Sequence, residues 1–260
     1  MANTEKIRRY FERIGLEYEE PFSPDLENLK KLHLAHSLTV PYENLDILRG
    51  KLLSLEDDDL YEKIVTNKRG GYCFEANGIF GWLLRSLGYK VTDFLGRYLR
   101  GEEMAVPMRR HRILKVELPE GDYLCDVGIG DKAQRLPLLM QCGLEQKDYD
   151  DIYKFEKDEF MGWVLYDLVD GDWRPFFSFT EDGQVYTDFI MPSFWCERHP
   201  DSFFNKAPIF CIKAERGMVT LIGDTFRDST GGTLIEKQLT TDEERAEVYK
   251  KYFNLDFYEK

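Results

Sequence analysis

A cysteine lies directly after two glycines and an aromatic residue in the segment RGGYCFEANG, which runs from Arg69 to Gly78. The residues after Cys73 carry apolar side chains at helical spacing, so a buried helix is predicted to begin there and to end at Gly88. A helix N-terminus directs free N–H groups and a partial positive charge at the sulfur, which favours a thiolate and can stabilise an oxyanion. The glycines are expected to allow a tight turn and the approach of a ligand. The segment therefore indicates a nucleophile; the alternative, a small buried core cysteine, has about equal weight.

A base for this thiol is offered by His111, one of four histidines, which begins a strand-like segment. Asp126 lies in the next such segment, and a cysteine, a histidine and a carboxylate together form an activated nucleophile. If Leu118 and Tyr123 flank the turn between the strands, Asp126 faces Lys115 and stands four residues, roughly 13 Å, from His111. The predicted hairpin does not by itself bring these two side chains together.

The elements that would carry these residues change in type along the chain. Up to about residue 90 the apolar spacing is helical, with predicted helix starts at Thr4, Ser23, Ser54 and Cys73. Beyond that point the period is two, and strands are predicted at 91–99, 111–118, 123–130, 162–169, 173–180, 184–191, 208–214 and 218–224. A last helix begins with a capping box at Thr241 and Glu244. Helices followed by antiparallel strands and a mixed tail predict an α+β fold.

The composition restricts the partners. The 260 residues carry a formal net charge of −13, and such an acidic surface repels nucleic acids and anionic membranes. No apolar run approaches the roughly 18 residues of a membrane span. The five cysteines are odd in number and form no C-x-x-C pair, which argues against a disulfide framework and predicts a cytoplasmic protein. His33 and His36 have no third ligand nearby, so no metal is predicted and both are expected to pack and hydrogen-bond among the helices.

The segment around Cys73 resembles the nucleophile motif R-G-G-x-C-x-E-x-N of the arylamine N-acetyltransferases, matched by Arg69, Gly70, Gly71, Cys73, Glu75 and Asn77. Four further segments resemble the family in the same order: LHLAHSLTVPYENLDIL, YLCDVGIGD, HPDSFF and VTLIGD. The resemblance implies a helical bundle over residues 1–90, an antiparallel β-barrel over 91–196 and an α/β lid over 197–260. It also implies a ping-pong transfer of acetyl from acetyl-CoA to aromatic amines or hydrazines, or to the oxygen of arylhydroxylamines, with Cys73, His111 and Asp126 as the triad.

The resemblance further implies binding residues. CoA is expected near Gly128, Gly130 and Arg110, and the acceptor near Tyr42, Ile129 and Phe74. Arg110 stands where the family usually has threonine, and Ile129 and Tyr42 stand where it has phenylalanine. Glu43 and Arg69 are expected to form an ion pair that holds the nucleophile loop. The basic run of Arg109, Arg110, Arg112 and Lys115 fits either a CoA phosphate site or a solvated edge strand.

Two other functions fit the same residues. A thiol acyl hydrolase or transglutaminase-like enzyme would use the same triad but pass its acyl group to water or to lysine. A non-catalytic relative would only bind CoA or an aromatic ligand. The sequence leaves the physiological acceptor, the preferred acyl-chain length and the oligomeric state open.

Overall fold

The computed structural model describes residues 3–101, 106–130 and 134–256. Within these ranges the helices are α1 (Asn3–Arg13), α2 (Leu26–Thr39), α3 (Leu45–Leu48), α4 (Asp57–Tyr61), α5 (Cys73–Ser86), α6 (Tyr186–Arg198) and α7 (Asp242–Phe253), with a π-helical turn at Glu62–Thr66 and a 3-10 turn at Phe203–Asn205. The strands are β1 (Lys90–Tyr98), β2 (Arg109–Leu118), β3 (Gly121–Cys125), β4 (Leu138–Leu139), β5 (Gln146–Asp148), β6 (Asp151–Asp158), β7 (Gly162–Val169), β8 (Asp172–Phe179), β9 (Ile209–Lys213), β10 (Met218–Ile222), β11 (Thr225–Asp228) and β12 (Ile235–Gln238). None of the helices in these ranges has both the length and the apolar composition needed to cross a bilayer.

Three predicted helix starts were wrong by one to three residues. α1 already begins at Asn3, so Thr4 lies inside the helix. α2 is capped by Asp25 rather than Ser23, and the Asp25 side chain accepts a first-turn backbone N–H 2.9 Å away. α4 begins three residues after Ser54. For α2 the reason is that a carboxylate caps a helix as well as a hydroxyl does, so the nearest serine was a poor guide.

Helix α5 begins at Cys73, as predicted, and forms the centre of the helical part. Eleven of its fourteen residues are buried. α1 and α4 pack against it, and β1 and β2 also contact it. Gly88 follows with a φ of +92°, the left-handed conformation in which helices commonly end.

Eight strands form one antiparallel sheet in the order β4-β3-β2-β1-β8-β7-β6-β5. Its two outer strands approach each other, because the Gln146 side chain bonds the backbone N–H and C=O of Leu139 at 2.7 and 2.9 Å. The sheet thus nearly closes into a barrel around aromatic residues such as Phe94, Phe155 and Phe177. The predicted α+β class with a central antiparallel barrel is confirmed.

The hairpin of β2 and β3 has a tighter turn than predicted. Only two residues separate the paired strands, and continuing their register places Asp126 beside Ile113 rather than Lys115. Asp126 therefore stands two residues from His111 along the sheet, and the predicted separation of four residues was wrong. Next to His111 the β1–β2 ladder skips Arg110, which forms a β-bulge.

A second antiparallel sheet, in the order β12-β11-β10-β9, packs against α7. The capping box of Thr241 and Glu244 at the start of α7 is present, as predicted. The strand predicted at 184–191 was wrong, because most of this segment belongs to α6. The division of the chain after residues 90 and 196 stays a prediction, and the second of these positions lies within α6.

Candidate active site

The surroundings of Cys73 explain the two glycines that precede it. A Cβ on Gly70 would lie 2.0 Å from the carbonyl oxygen of Pro41, and one on Gly71 would lie 2.7 Å from the Glu75 side chain. The glycines therefore let the nucleophile loop pack against the protein itself, which fills the room that was predicted for a ligand. Cys73 is only 3% exposed.

Buried ion pairs hold this loop in place. Nε and Nη2 of Arg69 lie 3.0 and 2.6 Å from Oε1 of Glu43, which confirms the predicted ion pair. Lys63 lies 2.7 Å from Glu75 and 3.0 Å from Asp46. Removing one member of such a buried pair leaves an uncompensated charge, so Arg69 and Glu75 fix the position of the loop that ends at the thiol.

His111 and Asp126 form a hydrogen-bonded pair in the interior. Nε2 of His111 lies 2.6 Å from Oδ2 of Asp126, and both side chains are buried. Oδ1 of Asp126 accepts from the Gly128 N–H at 2.9 Å and from Nδ2 of Asn77 at 2.8 Å. The carboxylate is thereby fixed, and Nδ1 is the ring nitrogen left to exchange a proton with a thiol.

Asn77 and Gly128 join the nucleophile helix to this pair. Nδ2 of Asn77 also donates to the carbonyl of Arg112 at 2.6 Å, and its Oδ1 accepts from the Val127 N–H at 2.9 Å. A Cβ on Gly128 would lie 2.9 Å from Cα of Cys73, so the loop and the helix are in direct contact there. Asn77 was not among the predicted site residues, although its place in the nucleophile motif was a signal for it.

The pKa values of Asp126 and of the Cys73 thiol are shifted in opposite directions. Burial alone would raise the pKa of Asp126, but the charge of His111 and the hydrogen bonds from His111, Asn77 and Gly128 lower it. Burial raises the pKa of the Cys73 thiol well above its ordinary value, and the nearby Cys196 adds to this. Burial thus acts against the lowering of the Cys73 pKa that the helix N-terminus was expected to cause, and a thiolate at Cys73 stays a prediction.

A cavity of about 150 Å³ opens beside Cys73 and His111. An apolar cavity of about this size accommodates one benzene-sized ring. Most of its lining is aromatic or aliphatic. The lining residues are Tyr42, Cys73, Tyr98, Arg110, His111, Gly128, Ile129, Gly130, Phe203, Phe204, Ile209, Phe210, Cys211, Thr220 and Ile222. The lining residues after residue 200 were not predicted, although Phe203 and Phe204 belong to the HPDSFF segment that resembles the family.

Phe74 is the one predicted binding residue that is absent from this cavity. It is fully buried and packs against the rings of Tyr72 and Phe189. Successive helical residues point about 100° apart, so the residue after Cys73 faces away from the cavity that the thiol lines. The prediction of Phe74 as an acceptor contact therefore disagrees with the structure.

The basic run of β2 is not a solvated edge, since β2 lies between β1 and β3. Arg112 pairs with Asp93 at 2.6 Å, and Lys115 pairs with Asp122 at 3.1 Å. The Arg110 guanidinium lies 5.5 Å from the centre of the Trp195 ring and 5.2 Å from that of Phe203. Arg110 is thus the member of the run that reaches the cavity.

The two histidines of α2 lie in the protein interior. His33 and His36 are fully buried and hydrogen-bonded, as expected. Across the described residues no group of histidine, cysteine and carboxylate side chains is arranged to hold a metal ion. No disulfide joins any of the five cysteines, all of which lie within the described residues.

A buried cysteine at a helix start that shares a cavity with a histidine, itself bonded to a buried aspartate, is typical of cysteine-dependent acyl-transfer sites. A sequence model of the N-acetyltransferase family matches residues 25–260 of this chain. An arylamine N-acetyltransferase of Escherichia coli K12 is 33% identical over 235 residues, which is 89% of this chain and 82% of the relative. One from Mycobacterium tuberculosis is 36% identical over 203 residues, 76% and 71% of the two chains.

Solved structures agree with these relatives. The arylamine N-acetyltransferase of Salmonella typhimurium superposes with a TM-score of 0.91 at 29% identity, covering 96% of this chain and 91% of that one. The Mycobacterium marinum enzyme in complex with CoA gives 0.88 at 29% identity, covering 95% and 92%. The chain belongs to the arylamine N-acetyltransferase family, a family of acyltransferases.

Proposed function

We propose that the protein transfers an acetyl group from acetyl-CoA to aromatic amines or hydrazines through a thioester on Cys73. The observation that carries this proposal is the single cavity that Cys73 and His111 line together, with Asp126 bonded to the far side of the imidazole. A relative from Salmonella typhimurium, 32% identical over 236 residues, is also an N-hydroxyarylamine O-acetyltransferase. We extend the proposal to acetylation of arylhydroxylamines at oxygen.

In the first half-reaction, Nδ1 of His111 takes the proton of the Cys73 thiol while Asp126 holds the resulting imidazolium. The sulfur attacks the acetyl carbonyl, and the free N–H groups at the start of α5 stabilise the oxyanion. CoA then leaves as a thiolate, takes the proton from His111 and dissociates. The enzyme is left with an acetyl thioester on Cys73, an uncharged His111 imidazole and an ionised Asp126.

In the second half-reaction, the amine nitrogen attacks the thioester carbonyl and His111 accepts a proton from it. Collapse of the intermediate releases the amide, and the Cys73 sulfur leaves and recovers the proton from His111. A cavity sized for one ring admits the acceptor after the bulky CoA has left, which fits a ping-pong order.

The binding roles follow from the cavity lining. We propose that Arg110, Gly128 and Gly130 contact CoA, and that Tyr42 and Ile129 contact the acceptor ring. There is room beside Gly130 in the cavity, because a Cβ at this position would stand 3.6 Å from the Tyr42 ring, which is an ordinary van der Waals contact. The five cysteines form no disulfide with one another, which fits the reducing cytosol in which we place the enzyme.

Mass spectrometry of the intact protein mixed with acetyl-CoA alone tests the covalent step. We expect one added acetyl group, mapped by digestion to Cys73 and absent from Cys73→Ala. Cys211→Ala is the matched control, because Cys211 is a second buried thiol that lines the same cavity. Acetyl on Cys211 in place of Cys73 would contradict the assignment.

A chase of the acetylated protein separates the alternative functions. Aniline should discharge the acetyl group far faster than water or a lysine-containing peptide. Discharge at equal rates with and without aniline would indicate a thiol hydrolase, and discharge by the peptide alone a transglutaminase-like enzyme. No acetylation at all, with CoA still bound, would indicate a non-catalytic relative.

A further inference from the structure

A chain of hydrogen bonds connects the β9–β10 hairpin with Asp126. Nε and Nη2 of Arg135 donate to the carbonyls of Ala214 and Gly217, at 2.8 and 2.9 Å, in the turn of that hairpin. The carbonyl of Arg135 lies 3.0 Å from Nδ1 of His33. The backbone N–H of Asp126 donates to Nε2 of His33 at 3.2 Å. His33 stands in the middle of this chain, on helix α2.

The two partners of His33 determine its tautomer. A backbone N–H can only donate, so Nε2 must be unprotonated, and a carbonyl can only accept, so Nδ1 must carry the hydrogen. Burial lowers the pKa of His33 to about 4, so the ring is neutral at physiological pH. A neutral, fully buried ring with one donor and one acceptor satisfies both backbone groups.

We propose that His33 is a positioning residue, which fixes the main chain of Asp126 and so sets the geometry of the His111–Asp126 pair. This inference rests on the proposed function of that pair. The Asp126 side chain is held by His111, Asn77 and Gly128, but its backbone N–H is held by His33.

His33 would affect catalysis through the position of the Asp126 carboxylate. Without an acceptor at His33, the buried N–H of Asp126 is unpaired, and the chain between Cys125 and Val127 shifts to find a partner. A displaced Asp126 stabilises the His111 imidazolium less well, so transfer of the Cys73 proton becomes less favourable. The thiol then titrates closer to the high value that its burial imposes.

Two substitutions of His33 separate its two hydrogen bonds. In His33→Gln the side-chain oxygen can take the place of Nε2 and accept from Asp126. In His33→Asn the shorter amide keeps a donor near Nδ1 for Arg135 but does not reach Asp126. His36→Asn is the matched control, since His36 lies one turn along α2, is equally buried and packs on the same Phe80 ring, but bonds Tyr10 instead of the triad.

The primary measurement is the pH dependence of Cys73 alkylation by iodoacetamide, which needs no acetyl-CoA. We expect the midpoint to rise by about one pH unit in His33→Asn, the equivalent of a tenfold change in proton transfer, and the rate of Cys73 acetylation to fall about tenfold. His33→Gln and His36→Asn should keep the wild-type midpoint. A failure of acetylation in the wild-type protein would refute the proposed function but would leave the alkylation comparison intact.

Equal midpoints in all four proteins, or equal shifts in His33→Asn and His33→Gln, would overturn the positioning role. If a variant does not fold, the proposal can still be tested by ¹⁵N NMR of the wild-type protein. The ¹⁵N shifts of the four imidazoles should show His33 as the neutral Nδ1–H tautomer from pH 5.5 upward. An Nε2–H tautomer, or a protonated ring in that range, would exclude the hydrogen bond from Asp126.

Discussion

Asn77→Asp should make the stability of the protein steeply dependent on pH. The substitution keeps the acceptor for Val127 but replaces the Nδ2 donor, 2.8 Å from Oδ1 of Asp126, by an oxygen. Two ionised carboxylates at that separation repel each other by about 6 kcal/mol at an effective dielectric constant of about 20. Both positions are buried, so solvent does not screen the repulsion.

The folded variant avoids this repulsion by holding a proton on one carboxyl. Its folded-state pKa then lies above the unfolded value of about 3.9, so stability is present at low pH and is lost by about 1.4 kcal/mol per unit as the pH rises. Between pH 5.5 and 8.5 the free energy of unfolding should fall by about 4 kcal/mol relative to wild type. For a chain of this size that corresponds to a drop of roughly 8–16 °C in melting temperature.

The assay is thermal unfolding of wild type, Asn77→Asp and a control at pH 5.5 and 8.5. Asn67→Asp is the matched control, because Nδ2 of Asn67 also faces a carboxylate, that of Glu62 at 3.2 Å, but at the surface. Water and salt screen that pair, so the control should lose less than about 1 kcal/mol at either pH. Parallel pH profiles for Asn77→Asp and wild type would refute the reasoning, as would an equal pH dependence in the control.

Three further substitutions test other contacts of the site. His111→Gln should raise the midpoint of Cys73 alkylation above the ordinary thiol value of about 8.5, since burial then acts without a proton acceptor, and an unchanged iodoacetamide profile would contradict this. Gly70→Ala should lower the free energy of unfolding by at least about 1–3 kcal/mol, because its Cβ would overlap the Pro41 carbonyl, whereas Gly231→Ala, which meets nothing within 4 Å, should be nearly neutral in the same denaturant titration. Ile129→Ala should raise kcat/KM for 2-naphthylamine relative to aniline, because residue 129 lines the ring-sized cavity, and an unchanged ratio would place the acceptor elsewhere.

Cys73 could be proposed as the nucleophile from sequence because all the signals around it are local. The motif from Arg69 to Asn77 contains the thiol, the helix start and the glycines within nine residues. The segment 184–191, which was wrongly predicted as a strand, has no comparable run of local signals. Helix α6 buries Phe189, Ser193, Cys196 and Glu197 but exposes Ile190, Met191 and Phe194, so apolar residues lie on both of its faces and the helical period is obscured. The Asp188 carboxylate, which accepts the Val185 N–H at 2.8 Å, caps the helix locally, and the packing of its buried face stabilises the rest.

The separation of His111 and Asp126 was misjudged for a geometric reason. The prediction of α+β architecture does not depend on turn length, but the contact between two side chains does. A turn shorter than expected moved Asp126 two residues along β2, which halves the predicted separation of roughly 13 Å, and the two side chains bridge the remaining distance with a hydrogen bond. The cavity residues after residue 200 could not be predicted either, because Phe203, Cys211 and Thr220 come together only through tertiary contacts.

Asp126 shows why the motifs of this site are scattered through the chain. Its backbone N–H is bonded to His33 on α2. Its Oδ1 accepts from Asn77 on α5 and from Gly128 after β3, and its Oδ2 is bonded to His111 on β2. A buried carboxylate remains ionised only if such donors replace the water it has lost, and one segment does not supply them all. The charge that orients the imidazole therefore exists only when the helical part and the sheet are packed together. Loss of that packing would deprive Cys73 of its proton acceptor even if the cysteine and its helix remained folded.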